Sequence, residues 1–321
     1  MGAFPGVPRI YEPPNPATYS LSRNVVVVST IDGHRIATRE FTPFALQDMV
    51  GTLIFSHGNA DDIGSCASYC QWLSDSVGAR VIAYDYVGYG RSDVGETTVD
   101  NMAHAAEAVF GYATTTLRCP VDSIVVVGKS LGSAAATWLA SQTYCAGIAG
   151  LVLISPIASG ARVVLGSTRL PRRVMSVLDD QFAPNIKLIG RVQVPVLLVH
   201  GVNDELVNVQ NSHDLFNCIQ SGLAFPPLWL EAGHNDIESL HKSLFISTLV
   251  SFVCHCLKRQ SAAHRARFAI SADMDSSSGS GKDKGVRMYA DADADADADA
   301  NASANASANA GMDAYSRWVY D

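Results

Sequence analysis

Ser123-Ile-Val-Val-Val-Gly-Lys-Ser-Leu-Gly-Ser-Ala-Ala-Ala136 is the stretch whose reading decides the fold. Its β-branched run, 124–127, suits a strand buried on both faces. The run Ser133-Ala-Ala-Ala-Thr-Trp-Leu-Ala140 suits a helix. Between them Gly128-Lys129-Ser130-Leu131-Gly132 has the form G-x-S-x-G. A sharp strand-to-helix turn brings neighbouring backbone close to the serine, so residues without side chains stand on either side of it. The serine is then held at the carboxyl end of its strand, facing the amino terminus of the next helix. The motif predicts Ser130 as a nucleophile at the edge of a parallel sheet.

Outward from this motif, short apolar runs at 52–55, 80–84, 151–154, 196–199 and 228–230 read as further parallel strands. Residues 24–29 and 35–41 read as a hairpin turning at Asp32-Gly33. Amphipathic or alanine-rich runs at 62–77, 98–117, 131–144, 207–220 and 236–257 separate the strands as helices. The expected architecture is α/β: an eight-stranded, mostly parallel sheet with helices on both faces.

A nucleophilic serine needs a base within hydrogen-bond reach and a carboxylate to orient that base. In such sheets the order along the chain is serine, acid, histidine, each just past a strand's carboxyl end. Asp204, in Val202-Asn-Asp-Glu205, stands where the acid is needed, with Glu205 as the alternative. His234, in Ala232-Gly-His-Asn-Asp236, stands where the base is needed. His200 precedes the acid, and His241 reads as a residue on a helix face. Two backbone amides must face the oxyanion of a tetrahedral intermediate. Leu131 supplies one and the loop His57-Gly-Asn-Ala60 the other, from Asn59 or its neighbour Ala60. No metal and no organic cofactor is required.

With 321 residues, 48% of them hydrophobic, the chain holds enough apolar surface for one large domain. The net charge of −8 argues against a nucleic-acid partner. Seven scattered cysteines suit a reduced, cytoplasmic interior, and Cys254 and Cys256 read as packed or partly exposed thiols, with acylation as the alternative. No basic-plus-apolar leader and no run of membrane-spanning length is seen, so a cytoplasmic location is expected. Residues 1–23 read as an extended arm laid over the surface, 24–259 as the catalytic domain, and 157–193 as an insertion forming either a small lid or a plain surface loop. The (Asp-Ala) and Asn-Ala-Ser-Ala repeats predict a disordered tail over 260–321.

With these residues placed, the chain resembles the α/β-hydrolase superfamily, and within it the α/β-hydrolase-domain-containing 17 depalmitoylases and their Bem46-like relatives. The segments that carry the likeness include Leu53-Ile-Phe-Ser-His-Gly-Asn-Ala60, Tyr84-Asp-Tyr-Val-Gly-Tyr-Gly-Arg-Ser92, Phe182-Ala-Pro-Asn-Ile186 and Gly233-His-Asn-Asp-Ile237. Pro13-Pro-Asn-Pro-Ala-Thr-Tyr-Ser-Leu21 is similar to the segment ahead of that family's domain. The resemblance implies the α/β-hydrolase fold and a thioesterase that removes palmitate from protein cysteines, with Ser130, Asp204 and His234 as its triad. It implies an acylated protein or lipid-like ester as substrate and a peripheral contact with the cytosolic face of membranes; a monomer is the favoured state. Two features depart from the family. Residues 1–23 lack the cysteine cluster that anchors it, and Lys129 replaces a usual glutamine and is expected to point to solvent. The alternatives are a prolyl-oligopeptidase-like serine peptidase and a catalytically silent binding module.

Overall fold

Four runs with almost no charge form the centre of the molecule: β3 (Thr52–Ser56), β5 (Ile124–Lys129), β6 (Gly150–Ile154) and β7 (Val196–Gly201). Their side chains are buried on both faces, apart from Lys129 at the end of β5. Burial of this kind contributes roughly 1.5–3 kcal/mol for each large apolar side chain. The computed structural model describes residues 11–21, 24–46, 49–165, 179 and 183–257, all within one unit, Met1–Lys258. The tail 260–321 and the middle of the 157–193 insertion lie outside the described residues.

β1 (Val25–Ser29) and β2 (Arg35–Phe41) form the antiparallel hairpin, and β4 (Arg80–Tyr84) and β8 (Leu228–Leu230) complete an eight-stranded sheet. The strand order is β1-β2-β4-β3-β5-β6-β7-β8, antiparallel at β1/β2 and β2/β4 and parallel elsewhere. Chain order reverses across β3, which lies between β4 and β5. A reversal of this kind opens a crevice at the carboxyl ends of the strands, where ligands bind in open α/β sheets.

Helices α1 (Ala67–Val77), α2 (Val99–Gly111) and α3 (Gly132–Ala140) fill three of the crossovers. α1 and α2 are shorter than their patterns suggest, for local reasons. Residues 62–66 are used in a turn in which Asp62 and Ser65 bond each other's backbone amides at 2.9 Å. Thr98 and Asn101 cap α2 reciprocally, and its far end relaxes into a π-turn, Tyr112–Thr116. There Thr114 and Thr115 return hydrogen bonds to the carbonyls of Phe110 and Gly111. The run 236–257 is two helices, Ile237–Leu240 and Lys242–Leu257, broken at His241. His241 is therefore not on a helix face, because its Nε2 reaches back 3.1 Å to the carbonyl of Glu231.

Candidate active site

The turn from β5 into α3 places Ser130 at φ +52°, a left-handed conformation that costs a non-glycine residue about 1 kcal/mol or more. Surrounding contacts hold it there. The Ser130 amide donates to the Ile154 carbonyl at 2.9 Å, tying the turn to β6. A Cβ on Gly132 would lie 2.1 Å from the Ser56 carbonyl oxygen, and one on Gly128 would lie 2.7 Å from the Cα of Ser133. The two glycines let α3 leave β5 at once and press against the end of β3.

The other predicted residues meet at this edge. His234 Nε2 lies 3.0 Å from Ser130 Oγ, and His234 Nδ1 lies 2.6 Å from Asp204 Oδ2. Two backbone bonds bring their loops together: Val202 N donates to Leu230 O at 2.8 Å and Asn203 N to Ala232 O at 3.0 Å. The Gly233 amide donates to Asp236 Oδ1 at 2.6 Å, which turns the loop so that His234 faces inward. Asp204 is buried and Glu205 is exposed.

Asp204 is more densely bonded than its sequence suggests. Its Oδ1 accepts from the amides of Leu206 (2.9 Å) and Val207 (2.7 Å). Its Oδ2 is shared by His234 and by His200 Nε2 at 3.1 Å. His200 precedes the acid in the chain, yet it is fully buried beside it. Its Nε2 lies 2.8 Å from the Val207 carbonyl, which can only accept, so that nitrogen carries a proton, and its Nδ1 lies 2.6 Å from Ser212 Oγ.

The same logic fixes His234. An ionised Asp204 only accepts, so the proton sits on Nδ1 and the bare Nε2 faces the Ser130 hydroxyl. Burial by itself raises the Asp204 carboxyl, but the bonds from His200, His234 and the Val207 amide outweigh it and hold the group well below the usual carboxylate range. The folded value thus lies below the unfolded one of about 3.9. The stabilisation is fully present above that unfolded value and is lost as pH falls through the folded one, so the charge beside His234 persists through mildly acidic conditions.

Leu131 follows Ser130 at the start of α3, buried. The loop after β3 passes beside the serine: a Cβ on Gly58 would come 3.9 Å from Ser130 Cβ. Asn59 lies in that loop, its side-chain oxygen accepting from Tyr89 OH at 2.7 Å and from the Glu12 amide at 3.1 Å. Lys129 does not point to solvent. Its Nζ pairs with Glu238 Oε1 at 2.9 Å and stands 5.0 Å from the centre of the Tyr69 ring, both partners closing over it. The pair joins the nucleophile's strand to the helix that follows His234. An open cleft of 460 Å³ lies beside His234, with Leu206, Leu240, Glu205 and Glu231 among its walls.

Comparisons with known proteins agree with this fold. Residues 47–191 match the family described as "Serine aminopeptidase, S33". Alpha/beta hydrolase domain-containing protein 17C of Xenopus laevis is 36% identical over 205 residues, 64% of this chain and 61% of that protein. Its human counterpart is 35% identical over 205 residues, 64% of this chain and 58% of that protein. The matched part therefore spans about three fifths of those relatives' length. Among solved structures, the Pyrococcus furiosus esterase Pf2001 superposes with a TM-score of 0.60 at 17% identity, over 77% of this chain and 99% of that one. The α/β-hydrolase GrgF from a Penicillium species gives 0.57 at 15% identity, over 74% and 100%. At such identities these structures speak for the fold alone.

Proposed function

We propose that this chain is a serine hydrolase of the α/β-hydrolase type, similar to the domain-containing 17 group, and that it cleaves fatty-acyl thioesters through Ser130, His234 and Asp204. The observation that carries the reading is the continuous path from Ser130 Oγ through His234 to Asp204, at 3.0 and 2.6 Å. His234 Nε2 takes the hydroxyl proton as Oγ attacks the acyl carbonyl, and Asp204 stabilises the imidazolium that forms. The amides of Leu131 and Asn59 receive the oxyanion. The thiol leaves with the proton held by His234. A water activated by the same ring then attacks the acyl-serine and releases the fatty acid.

Protein S-palmitoyl groups are the proposed physiological substrate, which the likeness to the 17C relatives supports. We propose peripheral contact with membranes from the cytoplasmic side, where protein cysteines carrying acyl chains would be met; among the described residues no helix is long and apolar enough to cross a membrane. The description of the matching family favours a second reading, a peptidase acting on amides. Purified protein offered acyl thioesters of graded chain length and short peptide amides separates the two. We expect thioester turnover with a preference for long chains. Cleavage of the amides with no thioesterase activity would favour the peptidase, and inertness toward both would leave a binding module.

A further inference from the structure

We propose that the N-terminal arm, residues 11–21, belongs to the catalytic apparatus: Thr18 and Tyr19 are positioning residues that hold the loop 57–63 in register with Ser130. The proposal rests on the reading above, in which that loop supplies an oxyanion amide.

The arm does not merely cover the surface. Thr18 N donates to Asp62 Oδ2 at 2.7 Å, and the Thr18 hydroxyl donates to Asp62 Oδ1. The Tyr19 phenol donates to Asp85 Oδ2, and the Tyr19 carbonyl accepts from Arg91 Nε at 2.9 Å. The Glu12 amide donates to the Asn59 side chain. Two of these links, to Asp62 and to Asn59, end on the loop directly.

The third reaches the loop through Asp85, just beyond the end of β4 and fully buried. A carboxylate taken out of water demands donors, and those that face Asp85 come from separate segments. Besides Tyr19, Arg91 N donates to Oδ2 at 3.1 Å and Ile63 N to Oδ1 at 2.8 Å. His57 Nε2 stands 3.7 Å from Oδ1, and the His57 carbonyl is fixed by Tyr86 OH at 2.7 Å. Burial pushes the Asp85 carboxyl above its ordinary range, while His57 and these donors pull against that shift. Asp85 therefore joins the arm to both ends of the loop that passes Ser130.

The loop is shaped to receive the arm. A Cβ on Gly64 would lie 2.3 Å from Thr18 Oγ1 and 2.8 Å from Tyr19 Cβ. Only glycine lets the two segments cross at that spacing. An oxyanion donor stabilises the transition state only when it is held at hydrogen-bond distance from the oxyanion, and misplacement by about 1 Å costs about a hundredfold in rate. A network anchored outside the loop supplies that constraint.

The test uses the full chain with Tyr19→Phe, which removes one hydroxyl, and Gly64→Ala, which pushes the arm away. For a fatty-acyl thioester, kcat should fall about tenfold in each while KM stays within about twofold. Affinity for an alkyl boronic acid, which forms a tetrahedral adduct on a nucleophilic serine, should weaken by the same factor as kcat/KM. Thermal melting sets the folded fraction for each variant. Unchanged kcat and boronate affinity per folded molecule would overturn the proposal, as would a loss of rate accounted for by unfolding alone. Ser130→Ala separates the two levels. If it is inactive while Tyr19→Phe is unimpaired, only the arm's role fails; if it is fully active, the catalytic reading fails and takes the arm's role with it.

Discussion

Ser130→Ala should lower kcat for an acyl thioester by about 10⁶-fold while leaving the fold in place. The hydroxyl is the atom that bonds to the acyl carbon, and no other nucleophile is proposed at the sheet edge. What remains should be the modest acceleration from the oxyanion amides and from binding. Stability should change little. Alanine at φ +52° bears the same backbone strain as serine, and the bond from residue 130 N to Ile154 O does not depend on the side chain. A variant that keeps even a hundredth of the wild-type kcat, measured on protein free of contaminating esterase, would remove Ser130 from the mechanism.

Asp204→Asn should lower kcat by about 10⁴-fold, and the reason lies in which atoms surround the carboxylate. Its Oδ1 faces two backbone amides, from Leu206 and Val207, so the asparagine oxygen is drawn to that side. The NH₂ group is then directed at His234 Nδ1 and His200 Nε2. To accept from it, His234 must shift its proton to Nε2, where it can no longer take one from Ser130. His200 cannot relieve the conflict, because the Val207 carbonyl requires a proton on its Nε2. Two donors are left facing each other in a buried space, a further cost of about 1–3 kcal/mol in stability. Activity assays and urea unfolding should show both losses together. Glu205→Gln, at an exposed neighbour, should shift stability by less than about 0.5 kcal/mol. A kcat for Asp204→Asn within tenfold of wild type would contradict this account of the histidine's tautomer.

The parts of the site that were readable in the sequence are those fixed by local backbone. A β-branched strand, two glycines and an alanine-rich helix specify the Ser130 turn without reference to the rest of the chain. Asp204 and His234 were readable because fold topology places each just past a strand end. The alternative at Glu205 was separable only by burial, a tertiary property. The burial of Lys129 is hidden from the sequence for the same reason: its partner Glu238 lies 109 positions away and meets it only once the last strand is docked. The place of His200 is not legible in the sequence because it depends on Ser212 and Val207, which close around it after the chain turns back. The arm's Pro-rich pattern announced an extended segment but not its anchors. The carboxylates that receive Thr18 and Tyr19 belong to loops 44 and 66 positions further on.

The most direct test of the central claim is to treat the protein with a fluorophosphonate and locate the adduct by mass spectrometry. The expected result is one adduct, on the peptide carrying Ser130, lost in Ser130→Ala and strongly slowed in His234→Ala. Undiminished modification of Ser130→Ala, or an adduct on a different residue of the wild-type chain, would contradict it.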